Sequence, residues 1–233
     1  QDFEHKDTLL ELLRFKSTKE EDYVSLNEYV KRMKKNQKSI YFITGDNEKA
    51  LRNSPLLEMY KEKELEVLIL DDEIDEIIMP SIPKYSDFEL KSVNRSSAAD
   101  DLVDDKNKDK VKDLKPLIKK IKDILGDKVK DVVSSKRLSD SPACVVADSN
   151  DPTAQMQELF KQMGQGAMPD AKPIFEINSK HSIIKKLSKM NKTKSFDDSI
   201  LLLFDQALLV SNIKIENPGE FISRINKVLE KSL

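Results

Sequence analysis

The chain lacks tryptophan, has one cysteine and two histidines, and contains only five glycines in 233 residues. Each scarcity excludes something. Cys144, being alone, cannot form an internal disulfide, which fits a reducing compartment. His5 and His181 lie far apart in sequence, so no Cys/His or Ser/His nucleophile pair is argued, and no Cys or His pair has zinc spacing. No apolar run approaches the ~20 residues of a membrane span, and no signal peptide is expected. Forty basic residues against forty-two acidic ones leave no overall field for nucleic acid. The basic cluster Lys115 to Lys122 is interleaved with Asp109, Asp113 and Asp123 and reads as a solvated helix face. The chain begins at Gln1 rather than Met and is expected to be a piece of something longer.

What is present is a 35% charged, 6% aromatic composition, the profile of a soluble, helix-rich protein with well-solvated faces. Its most ordered signal runs from Ser39 to Ile78. Two apolar runs, Ile40-Tyr41-Phe42-Ile43 and Val67-Leu68-Ile69-Leu70, flank a helical pattern broken by Ser54-Pro55. That spacing predicts a parallel βαβ unit. Upstream, Leu9, Leu10, Leu12 and Leu13 crowd a short helix. Ser25 and Glu28 form a capping box for a second helix, with Leu26, Tyr29, Val30 and Met33 on one face. Residues 1–83 therefore read as a small three-layer α/β unit. Residues 84–108, with Ser96-Ser97, mixed charge and few large apolar side chains, read as a linker.

Residues 109–233 read as helix-dominated α+β with a small mixed sheet. Val111, Leu114, Ile118, Ile121 and Leu125 mark a helix that Pro116 either kinks or starts, and Gly126 closes it. Strands are expected at 129–134, 143–147 and 173–177. A short helix follows Asp151-Pro152, Asn178 is placed to cap another, and two long helices end the chain.

No catalytic, cofactor or metal residue emerges from the βαβ unit. Thr44-Gly45-Asp46 superficially resembles a phosphate loop, but it has one glycine and is followed by Asn47-Glu48, so carboxylates would repel a phosphate. Asp46 reads as a helix N-cap. The acidic run Asp71-Asp72-Glu73-Ile74-Asp75-Glu76 could bind a divalent cation at a strand end, but reads first as the solvated start of the next helix. A ligand-binding α/β domain with an enzymatic role at Asp46 and Asp71-Asp72 stands as the alternative. Cys144 in its apolar strand reads as buried and inert.

Two surfaces exceed the needs of a core. Met156, Leu159, Phe160 and Met163 form a helical stripe, with Met168 in the Gly-rich tail beyond it; flexible, polarizable methionine suits varied apolar partners. The last two helices carry Ile200, Leu203, Phe204 and Leu208, then Phe221, Ile222, Ile225, Val228 and Leu229. Two such helices from each of two chains would make a four-helix dimer bundle. A purely structural dimer module with the Met stripe buried is a further alternative.

The segments Leu13-Arg14-Phe15-Lys16-Ser17-Thr18-Lys19, Tyr41-Phe42-Ile43-Thr44-Gly45 and Asn53-Ser54-Pro55-Leu56-Leu57-Glu58 are similar to the end of the middle domain of the heat shock protein 90 chaperones. Leu125-Gly126-Asp127-Lys128-Val129, Arg137-Leu138-Ser139-Asp140-Ser141-Pro142-Ala143 and Leu203-Phe204-Asp205-Gln206-Ala207-Leu208-Leu209 resemble their C-terminal domain. The resemblance implies that 1–83 is the small α/β part of the middle domain and 109–233 the dimerisation domain. It implies that Met156, Leu159, Phe160, Met163 and Met168 contact unfolded client proteins, and that the two terminal helices form the homodimer. The end Lys231-Ser232-Leu233, without the acidic tail of the eukaryotic cytosolic members, resembles the bacterial, cytoplasmic type. ATP and Mg would be cofactors of the parent, an ATP-driven clamp. With the nucleotide-binding domain and catalytic arginine of the family unmatched, the fragment itself is expected to be no enzyme and to hold no cofactor.

Overall fold

The computed structural model describes residues 6–102, 114–164 and 171–232. The chain divides into two compact units, Gln1–Asp101 and Leu102–Leu233.

Unit 1 contains α1 (Lys6–Leu12), β1 (Lys16–Ser17), α2 (Leu26–Arg32), β2 (Ser39–Thr44), α3 (Glu48–Arg52), α4 (Glu58–Glu62), β3 (Leu68–Leu70), α5 (Asp75–Ile78), β4 (Lys84–Tyr85) and β5 (Phe88–Ser92). Its sheet has the order β1-β3-β2-β5-β4. β2 is parallel to both β3 and β5, while β1 and β4 run antiparallel at the two edges. All six residues of β2 are buried, as a strand covered on both faces requires. Ile40 and Phe42 join Leu10, Leu26, Tyr29, Leu68, Leu70 and Met79 on one face. On alternate positions, Tyr41 meets the Tyr60 ring of α4 edge-on at 4.9 Å. The predicted βαβ unit is present, with helices on both sides of the sheet.

Local chemistry sets the ends. Ser25 and Glu28 make the expected reciprocal capping box on α2. Ser54 accepts from the Leu56 amide, with Pro55 opening the 3-10 turn before α4. The cap of α3 is Asn47, whose side chain accepts from the Ala50 amide, so Asp46 is not the N-cap expected of it. The buried Tyr29 hydroxyl donates to Glu66 O at 2.7 Å and accepts from the Tyr41 amide at 3.1 Å, pinning α2 to the sheet.

The stretch 84–102, expected to be linker, is structured instead. β4 and β5 close the sheet, with Ile40 opposite Leu90 and Phe42 opposite Ser92. A 3-10 segment over Ser96–Leu102 then packs Ala98 and Ala99 fully inside. Small side chains here fill the space beside Tyr60, whose hydroxyl donates to Ala98 O at 3.3 Å. Small and polar composition signals a linker only where nothing needs a small neighbour.

Unit 2 contains α6 (Lys115–Leu125), β6 (Asp131–Ser134), β7 (Ala143–Val146), α7 (Ala154–Gln162), β8 (Ile174–Ile177), α8 (Ser182–Ser188), α9 (Lys194–Val210) and α10 (Pro218–Ser232). The sheet order is β6-β8-β7, with β8 parallel to β6 and antiparallel to β7. Both units thus carry a small mixed sheet. Pro116 marks the start of α6 and does not kink it. Gly126 closes that helix with φ of 50°, a conformation glycine adopts at no steric cost. Val111 lies outside the described residues.

One face of this sheet offers Val132, Val145, Phe175 and Ile177 to Leu117, Ile121, Ile184, Phe196, Ile200 and Phe204 from α6, α8 and α9. Phe175 and Phe204 meet edge-on at 5.5 Å. The opposite face holds a polar knot. Arg137 Nε donates to Glu176 Oε2 at 3.2 Å, with side-chain exposures of 1% and 6%. Ser135 Oγ donates to the same oxygen at 2.7 Å. Asn178, expected to cap α8, instead donates to Ser139 O and Ser141 O, and His181 caps that helix. Half-buried carbonyls in the 139–141 loop have claimed the asparagine.

Candidate functional site

The strand ends of unit 1 surround a surface hollow lined by Asp46, Asn47, Glu48, Lys49, Arg52, Asn53 and Asp71. Three of its charged side chains, Glu48, Arg52 and Asp71, are ion-paired. Lys16 Nζ lies 2.7 Å from Asp71 and 2.9 Å from Glu48, and those two carboxylates hold its ammonium above the usual lysine range. Glu48 in turn pairs with Arg52 at 2.8 Å, and the two cations beside it keep its carboxyl below the ordinary value. The backbone is engaged as well. The Gly45 amide donates to Leu70 O, and the Thr44 amide to Asn94 Oδ1. A Cβ on Gly45 would lie 2.8 Å from Leu51 Cδ2, so the glycine serves helix packing. A phosphate here would meet the carboxylates of Asp46, Glu48 and Asp71. Among the described residues, no group of three or more His, Cys, Asp or Glu side chains could hold a metal ion. Cys144 is buried in β7, as read from the sequence.

The Met stripe falls on α7, capped by Thr153 through the Met156 amide. No residue of this helix is fully buried. Met156, Leu159 and Phe160 are half-buried, and Met163 is 51% exposed. Met168 lies outside the described residues.

The terminal helices divide differently from the sequence reading. Ile200, Leu203, Phe204 and Leu208 are interior to unit 2 and pack on its own sheet and helices. They are core and not free surface, because α9 is apolar on more than one face and only one face can turn away from the sheet. The exposed apolar residues here are Leu209 and Val210 at the end of α9 and Ile222, Val228 and Leu229 on α10. Phe221 and Ile225 are half-buried. Arg224 clasps α10 to α9, reaching Asp205 at 2.9 Å and Glu220 at 2.8 Å.

Sequence reasoning named Leu209 on α9 but overlooked Val210, and also Ile74, Ile77 and Ile78, which are exposed on and beside α5. The signal for the latter was available: an acidic run interrupted by isoleucines at i, i+3 and i+4 is one apolar face of a helix. No helix among the described residues is long and apolar enough to cross a membrane.

Comparison with known proteins agrees with the residue-level resemblance. A family model described as "Hsp90 protein" matches residues 1–233. The chaperone protein HtpG of Treponema denticola is 48% identical over 98% of this chain and 37% of its own length. HtpG of Borrelia garinii subsp. bavariensis is 43% identical over 100% of the chain and 37% of its own. HtpG of Legionella pneumophila (strain Paris) is 41% identical, again over 100% of the chain and 38% of its own length. The chain thus spans little more than a third of the curated relatives it matches, and by both measures it belongs to the Hsp90 family.

Proposed function

We propose that this chain is the client-holding, dimerising portion of a bacterial chaperone that works in the cytoplasm. Unit 1 would be the end of the middle domain and unit 2 the dimerisation domain. The observation that carries the reading is α7, a Met/Phe-striped amphipathic helix with no fully buried residue in a unit that otherwise has a well-filled core. The names of the HtpG relatives support the chaperone role.

The mechanism is mass-action holding. Met156, Leu159, Phe160 and Met163 offer adaptable apolar contact to segments exposed in unfolded clients. A dimer formed through α10 and the end of α9 brings two such helices together, so that a client engaging both gains effective concentration without a new type of contact. ATP and Mg are assigned to the whole protein and not to unit 1, where carboxylates line the hollow at the end of β2.

Phe160→Asp tests this. It places a charge in the stripe without touching the core of unit 2. Light scattering of an aggregating client should show protection falling several-fold while sedimentation still reports the same oligomer. Unchanged protection would refute the assignment of α7.

A further inference from the structure

α7 is attached to unit 2 by polar side chains. Gln157 makes a two-point pairing with the backbone of Ala171: its Nε2 donates to Ala171 O at 3.1 Å, and its Oε1 accepts from the Ala171 amide at 3.2 Å. This mimics the exchange between paired strand residues and fixes the chain just before β8. Gln155 Nε2 donates to Ser211 O at 3.2 Å. Lys214 Nζ donates to Glu158 Oε1 at 2.9 Å, and its charge holds the Glu158 carboxyl below the ordinary value.

Two of these three attachments end on one element. Ser211 is the C-cap of α9, and Lys214 lies between α9 and α10. The turn they occupy depends on Asn212, which holds φ of 55°, a left-handed conformation asparagine tolerates better than most residues. The helix proposed to contact clients is therefore held by the turn that leads into the helix proposed to dimerise. Exposed and half-buried hydrogen bonds have small net strength, because water replaces them when they open. Such a hold is easily released, unlike the burial that fixes α9.

We propose that Gln155 and Glu158 are positioning residues that latch α7 to the α9–α10 turn, while Gln157 ties it to the chain before β8, so that a rearrangement of this turn loosens α7 and turns Met156, Leu159 and Phe160 outward. The inference rests on the reading of α7 as the client-contacting helix. It gives that surface a control point in the same unit.

Hydrogen exchange of the full chain without client tests it. Lys214→Glu and Gln155→Ala should each speed exchange of the amides in 154–164 by about threefold, the effect of removing one exposed or half-buried bond from a local opening. Exchange in 194–210 should stay unchanged. The charge swap Lys214→Glu with Glu158→Lys should restore the slow exchange, which a general loss of structure would not allow. Unaltered exchange in both single variants, or a swap that fails to restore it, would overturn the latch. Because no client is present, this outcome is separate from that of Phe160→Asp. If Phe160→Asp leaves protection intact but the exchange results hold, the latch stands and the client role falls.

Discussion

The central strand of unit 1 and the helices α7 and α10 of unit 2 are opposite solutions to the same problem. β2 buries all six of its residues between two helical layers. α7 and α10 carry apolar stripes and bury none of them completely. An apolar side chain fully removed from water contributes about 1.5–3 kcal/mol to stability. Stripes that forgo this within the chain are where a partner could supply it. The comparison separates residues that hold the fold from residues that are free to do something else, and it can be tested at each point along that scale.

The largest effect is expected at the buried knot beneath the sheet of unit 2. Arg137 is almost wholly enclosed, with the Glu176 carboxylate 3.2 Å from its Nε. Arg137→Ala removes the partner and leaves a buried carboxylate, at a cost of about 3–5 kcal/mol. Denaturant unfolding should show the midpoint of unit 2 falling sharply. Arg137→Ala with Glu176→Gln should recover part of the loss, since a neutral amide costs less to bury than an unpaired charge. A single variant within about 0.5 kcal/mol of the parent would mean the knot contributes little.

How legible these elements were depends on what each signal encodes. The βαβ unit was readable because its strands are continuous apolar runs, which parallel strands buried on both faces demand. The capping box at Ser25 and Glu28 was readable because it is a purely local hydrogen-bond pattern. β5 was missed although Phe88-Glu89-Leu90-Lys91 alternates with period two, because the serines and alanines after it dominated the reading. The four α9 residues assigned to a dimer interface were misplaced for a different reason. A helix apolar on several faces does not say which face meets its own sheet, and that is settled only by the strands it covers. Asn178 shows the same limit, since its partners lie in a loop some 40 residues earlier.

A smaller and opposite effect is expected at Asp75, at the start of α5. Partial burial, reinforced by Asp72, Asp71 and Glu76, pushes its carboxyl up from 3.8 to about 6, although it accepts from the Asp72 amide. The raised value means that the folded state binds this proton more tightly than the unfolded state. Its contribution to stability is therefore full below about pH 3.8 and is lost as pH rises to about 6, leaving the charged form a liability at pH 7. Asp75→Asn retains an acceptor for the Asp72 amide and removes the charge. It should stabilise unit 1 by about 1 kcal/mol at pH 7, after discounting for solvent screening. That gain should disappear when unfolding is measured at pH 4. An equal gain at both pH values would show that the benefit comes from packing and not from charge.

At the far end of the scale, Ile222→Asp should barely change the stability of the chain itself. Ile222 is 52% exposed, so its replacement opens no cavity and strands no buried group; surface changes of this kind fall within about 0.5 kcal/mol. Its neighbours on the stripe, Ile225 and Leu229, follow at i+3 and i+7 and present the same face. If that face is covered by α10 of a second copy, the new carboxylate lies in an apolar seam with no cation assigned to it, and a buried unpaired charge is costly. Sedimentation at low micromolar concentration should then report the monomer mass, while the unfolding midpoint of dilute protein moves little. A dimer that persists would place the interface elsewhere and return α10 to the solvated surface. A midpoint that collapses would mean that Ile222 belongs to the same class as the residues of β2, and the distinction between the two regions would fail at this helix.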